Sequence, residues 1–286
     1  MRHLVFALCL LCLGGVAARA EPIALVAGEN FYGDIAAQIG GPDVAVASIL
    51  SNPDQDPHLF EASTATARLL AGARIVVMNG IGYDPWLEKL LSASANAKRE
   101  TITIAALTGH KDGDNPHLWY DPATMPRFAE ALAERLGAID PDHRDDYQRR
   151  LAAFHAAFAP LTRMVGAMKR AHAGTPVTAT EPVFGYMAAA LGLAMHNERF
   201  QYAVMNDTEP GASDIAAFER DLRRHRVRVL LYNSQTSGSI ATRMQAVAKE
   251  AGVPIVGVSE TEPAGMTYQD WMLSQLVALE AALARK

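Results

Sequence analysis

Cysteine is almost absent from the 286-residue chain: Cys9 and Cys12 are the only two, and both lie in its first twenty residues. That stretch reads as an export leader. Arg2 and His3 make a short basic start, Leu4 to Val16 is apolar, and Ala18-Arg19-Ala20 offers an A-x-A cleavage site. Neither cysteine follows the small residues a lipid-attachment site wants, so a soluble cleaved product is expected rather than a lipoprotein. The mature chain would then hold no thiol, which excludes disulfides and thiolate metal ligands. No later stretch approaches the roughly 18 consecutive apolar residues of a membrane helix. Excess positive charge is missing too. The formal charge is −5, and removing the leader takes the basic residues from 26 to 24 against 31 acids, hence −7. Such a chain has no general attraction for nucleic acid or anionic lipid. Also absent are G-x-G-x-x-G after the first strand, a phosphate loop, and H-E-x-x-H. Their absence argues against a nucleotide- or sugar-binding α/β protein and a zinc protease.

What is present is an alternation of short β-rich runs with amphipathic helical stretches. Strands are expected at Ile23–Val26, Val44–Leu50, Arg74–Met78 and Thr101–Ala105, then at Val177–Thr180, Val227–Tyr232 and Ile255–Val258. Helices fall between them. Ser63 or Thr64 caps one, and Asp84-Pro85 opens another with Asp at the N-cap and Pro at the first helical position. From Asp140-Pro141 to about Ala171 one helical stretch would reach about 45 Å, with Pro160 kinking it locally. Alternation of this kind implies parallel sheets flanked by helices. The expected fold is therefore α/β: a leader over 1–20, a first lobe over 21–139, a linking helix over 140–173 and a second lobe over 174–286.

Two stretches echo each other. Asp56-Pro57-His58 and Asn115-Pro116-His117 each set a histidine behind a proline, a few residues past a β-branched run. Proline stiffens such a loop. Glu181 follows the fifth run and Glu260 the last. Ligands of open α/β sheets bind outside the carboxyl ends of the strands, so His58, His117, Glu181 and Glu260 would meet in the cleft between lobes. Two carboxylates cancel the charge of a divalent cation, which limits the desolvation cost of burying it. His143, His155 and His172 read as surface residues of the long helix, His225 as part of a basic helix end, and His196 as a reserve ligand. Glu181 also fits a bland role as a helix N-terminal acid. Glu262, before Pro263, is expected to run along its loop toward solvent.

These pieces carry a resemblance. Asp56-Pro57-His58-Leu59-Phe60-Glu61, Asn79-Gly80 with Trp86-Leu87-Glu88, Asn115-Pro116-His117-Leu118-Trp119, Phe184-Gly185-Tyr186, Glu209-Pro210 and the closing helix from Tyr268 resemble the periplasmic metal-binding receptors of zinc, manganese and iron ABC importers. The match spans essentially the whole mature chain. It implies a rigid linking helix, metal ligands at His58 and His117, a third at Glu181, and a fourth acid after the last strand. Glu260 holds that position, where the family usually has aspartate. The long histidine-rich loop of many zinc receptors is reduced to Gly109–Asp114 with one histidine, either a loop that captures ions weakly or a plain polar loop.

The implied function is capture of a divalent transition metal in the periplasm and delivery to a membrane permease, by a monomer with no reaction and no nucleic-acid partner. Four protein ligands fill a tetrahedral shell, whereas catalytic zinc keeps a position for water. The alternative is a metal-dependent hydrolase with three ligands and Glu181 as general base. Two histidines and two glutamates form a harder site than three histidines and one acid. That leans the set to manganese over zinc, with iron(II) also suited, although zinc binds any such site more tightly in vitro than manganese.

Overall fold

The computed structural model describes residues 21–52, 60–94, 96–236 and 238–285. The leader expected at 1–20 and the His58 loop therefore lie outside the described residues.

The first lobe is a parallel sheet of β1 (Ile23–Glu29), β2 (Val44–Leu50), β3 (Ile75–Met78) and β4 (Glu100–Thr103), in the order β2-β1-β3-β4. Val26 pairs with Ala47 on one side and Val76 on the other, so the central strand is apolar on both faces. Its helices are α1 (Asn30–Gly40), α2 (Thr64–Gly72), α3 (Pro85–Ala93), α4 (Ile104–Thr108) and α5 (Thr124–Ile139). Ser63 caps α2 through a reciprocal bond with Thr66. The last strand is shorter than its β-branched run implies. Ile104 and Ala105 wind into α4, which buries both and ends on Gly109 in a left-handed conformation, φ 83°.

The linking helix is α6 (Arg144–His172), continuous through Pro160. Its buried residues, Tyr147, Phe154, Phe158, Leu161 and Met168, form one stripe. By length and composition alone, Pro141–His172 is the one stretch among the described residues that could span a membrane. Here its apolar stripe packs against α1 and α5, and Arg150 ties it down by donating to Ile39 O at 2.8 Å and to Asp43 at 2.8 Å.

The second lobe repeats the plan: β5 (Pro176–Ala179), α7 (Gly185–Ala190), β6 (Ala194–His196), α8 (Glu198–Met205), α9 (Ala212–Arg223), β7 (Leu230–Asn233), α10 (Ser239–Ala251), β8 (Ile255–Val258) and α11 (Tyr268–Leu283), with the parallel order β6-β5-β7-β8. Two elements here were not foreseen. The edge strand β6 has only three residues, and α8 follows it directly, so neither shows a period long enough to read. The run expected at Val227–Tyr232 joins the sheet only from Leu230.

One apolar cluster runs through both lobes. Phe31 meets Trp119 at 4.6 Å and Trp271 at 6.0 Å, and Tyr120 meets Phe184 at 5.3 Å. Hydrogen bonds cross the same seam: Tyr268 Oη donates to Trp119 O at 2.5 Å, and Tyr120 Oη to Ser259 O at 2.7 Å. In both sheets the strand order reverses at the first strand, β1 or β5, so the crevices beyond β1/β3 and β5/β7 are where polar groups can gather.

Candidate metal centre

His117 is fully buried, and its environment selects the tautomer. Asn115 Oδ1 accepts both His117 N–H at 3.1 Å and Nδ1–H at 2.6 Å. The amide cannot be flipped, because Asn115 Nδ2 donates across the lobes to Pro182 O at 2.6 Å. Gly185 makes room for that bond, since a Cβ there would sit 2.9 Å from Asn115 Nδ2. In the neutral ring this leaves the lone pair on Nε2. That atom is buried, has no hydrogen-bond partner among the described residues, and lies 3.5 Å from Glu260 Oε2. A buried polar atom left unpaired is costly, and the arrangement of a second ring nitrogen tied to a fixed acceptor is that of metal-binding histidines.

The two acids come from the second lobe. Glu260 stands two residues past β8, wholly buried, with its backbone N–H donated to Gln235 Oε1 at 2.5 Å. Glu181 follows β5 as the N-cap residue of a 3-10 turn, Pro182–Phe184, and makes no side-chain cap bond there. Asn233, at the end of β7, donates to both carboxylates: 2.5 Å to Glu260 Oε1 and 3.2 Å to Glu181 Oε2. Thr236 Oγ1 donates to Glu181 Oε1 at 2.6 Å, and Tyr83 Oη to Glu260 Oε2 at 3.1 Å. Burial pushes the Glu181 carboxyl up from its ordinary range, and the neighbouring Glu260 charge pushes the same way, against the Thr236 and Asn233 hydrogen bonds.

His117 and Glu260 thus meet at 3.5 Å and Asn233 links Glu260 to Glu181, while among the described residues no three histidines or acids already form a group that could hold a metal ion; His58 lies outside the described residues. The reserve candidate His196 is engaged elsewhere, its Nδ1 3.0 Å from Asp221. His155 is exposed beside Glu130, while His143 and His172 are partly buried against Asp140 and Glu280 rather than plain surface residues. His225 is exposed just past α9 with φ 50°. His110 is held to Thr108 at 2.8 Å and packs edge-on to Tyr186 at 5.2 Å, so the short loop lies against the second lobe.

Glu262 corrects an expectation. It turns inward, 6 % exposed, because Asn30 grips its backbone: Nδ2 donates to Glu262 O at 2.7 Å and Oδ1 accepts Glu262 N–H at 3.2 Å. Burial, and then Asp34, push its carboxyl up to about 9. Asp84 also departs from its expected role. It precedes α3, but its carboxylate reaches back to accept the N–H groups of Asn79 at 2.7 Å and Gly80 at 2.8 Å.

Asn233, Thr236, Gln235 and Tyr83 were not singled out by the sequence. The signal available was the polar run Asn233-Ser234-Gln235-Thr236 directly after an apolar strand, the same setting that marks Glu181.

Two α/β lobes on a linking helix, with an imidazole and two carboxylates converging between them, define a cleft-binding receptor. The chain belongs to the family described as zinc-uptake complex component A, periplasmic, whose model matches residues 25–282. That family consists of substrate-binding components and not enzymes, which sets the hydrolase alternative aside. Among relatives, the manganese ABC transporter substrate-binding lipoprotein PsaA of Streptococcus pneumoniae is 26% identical, with 86% of this chain and 83% of the relative covered. The metal ABC transporter substrate-binding lipoprotein FimA of Streptococcus parasanguinis is 25% identical, with 88% and 84% covered. The fold is that of the periplasmic zinc-binding protein TroA of Treponema pallidum, at TM-score 0.78 and 19% identity, covering 93% of this chain and all of that one.

Proposed function

We propose that this protein is the receptor of a metal importer, which captures one divalent transition-metal ion between its lobes and passes it to a membrane permease. The ligands are His117, Glu181 and Glu260, with His58 from the first-lobe loop. The observation that carries this reading is the buried Nε2 of His117, held without a hydrogen-bond partner among the described residues and 3.5 Å from Glu260 Oε2. Two carboxylates balance the ion's charge, and the donor types suit zinc, manganese or iron(II). Relatives are named for all three metals. The leader read at the start of the sequence supports export to the periplasm; several relatives are named lipoproteins.

Calorimetric titration with zinc tests the assignment of the fourth ligand. Glu260→Gln should weaken binding by about a hundredfold or more, beyond what loss of an outer partner usually costs. Glu262→Gln should change it little, because the charge its carboxyl feels is that of Asp34 and not that of the His117 group. The opposite ranking would move the ligand to Glu262.

A further inference from the structure

We propose that Asn115 is a positioning residue that joins the two halves of the metal site, aiming His117 from the first lobe while pinning the Glu181 turn of the second lobe against it. The inference rests on the receptor reading above and deepens it.

The segment Asn115-Pro116-His117 is held from both sides of the seam. From the first lobe, Asn79 Nδ2 donates to Pro116 O at 2.9 Å, and Tyr32 Oη fixes Asn79 Oδ1 at 2.7 Å. From the second, Tyr186 Oη donates to Asn115 O at 2.8 Å. The Asn115 amide completes the bridge. Its Oδ1 takes the backbone N–H of His117, which can only donate, so the atom facing Pro182 O at 2.6 Å is Nδ2. Pro182 directly follows Glu181, and its carbonyl also accepts Gly185 N–H to close the 3-10 turn. One buried side chain therefore bonds the ring of one ligand and the turn that follows another. The Phe184-Gly185-Tyr186 run gains a role here. Gly185 leaves the space that Nδ2 occupies, Tyr186 holds the Asn115 backbone, and Phe184 packs on Tyr120.

His117 and Glu181 stand on different lobes, so neither lobe alone fixes their spacing. An ion binds best to ligands already in place, because ordering them on binding subtracts from its affinity. A direct bond between the two loops supplies that order, and removing it should cost affinity although no ligand is touched. Replacement of Asn115 by aspartate separates this role from simple aiming of the imidazole. The carboxylate still accepts both His117 N–H groups, and its added charge favours a nearby cation. It cannot donate to Pro182 O, and two acceptors set face to face repel. Aiming alone predicts tighter binding in this variant; pinning of the Glu181 turn predicts weaker binding.

The test compares the mature protein with its Asn115→Asp and Gly185→Ala variants. Zinc affinity is measured by competition with a chelating dye, and zinc release by mixing with excess chelator. The His117 tautomer is read from ring-nitrogen NMR shifts of the zinc-free protein. Wild type should carry the proton on Nδ1. Asn115→Asp should keep that tautomer, yet bind zinc about tenfold or more weakly, the scale on which outer partners act, and release it faster. Gly185 has φ −56°, which alanine adopts freely, so its added Cβ acts only by meeting Asn115 Nδ2 at 2.9 Å. Gly185→Ala should therefore shift affinity and release in the same direction. Zinc binding as tight as wild type, or tighter, in either variant would overturn the inference and leave the receptor reading standing. A proton on Nε2 in wild type would overturn it without any variant. Absence of zinc binding in wild type would remove both.

Discussion

Replacing His117 with alanine should lower metal affinity by more than a hundredfold, while His155→Ala should leave it within about twofold. The two histidines differ in setting rather than in kind. His117 is fully buried with Nδ1 committed to Asn115, so its remaining nitrogen, beside Glu260 and without a hydrogen-bond partner among the described residues, is placed to serve an ion. His155 is exposed on α6 with Glu130 at 3.5 Å, and water can replace whatever it gives up. A metal-competing dye titrated against wild type and both variants reads the difference directly. Similar affinities for all three would remove His117 from the site.

Saturating metal should raise the melting temperature sharply. A ligand that binds only the folded chain adds RT ln(1 + [L]/Kd), about 4 kcal/mol at a thousandfold excess over Kd. For a chain of this size each kcal/mol moves the midpoint by about 2–4 °C, so the expected rise is about 8–16 °C. The physical source is the site's own unfavourable balance. Burial raises the Glu181 carboxyl, Glu260 stands close by, and a cation relieves both penalties at once. A transition unmoved by either zinc or manganese would count heavily against a metal-binding cleft.

Much of this molecule was legible before its structure. Apolar runs such as Val44–Leu50 and Ile255–Val258 are strands over the residues expected, although both lie at sheet edges and each leaves one residue exposed, Ala45 and Gly257. Glu181 and Glu260 could be proposed from placement, since each lies just past a strand and strand ends of parallel sheets face the crevice, whereas His117 lies well beyond β4 with α4 between and was marked by its Pro-His motif. Less visible was anything that depends on contacts across the lobes. Glu262 lies beside Pro263, and the local rule sent it outward; Asn30, 232 residues away in sequence, turns it in. Asp84 has the signature of an N-cap, yet the turn at Asn79-Gly80 offers it two backbone donors. Asn233 carries no charge and no motif. Its importance arises only because Glu181 and Glu260 arrive on either side of it from different strands.

The central claim is that one divalent cation sits among these groups. Crystals grown with zinc and measured at the zinc absorption edge test it most directly. The account predicts a single strong anomalous peak per chain, within bonding distance of His117 Nε2, one oxygen of Glu181 and one of Glu260. A peak elsewhere, such as at the His143–Asp140 or His172–Glu280 pairs, with none between the lobes, would contradict it.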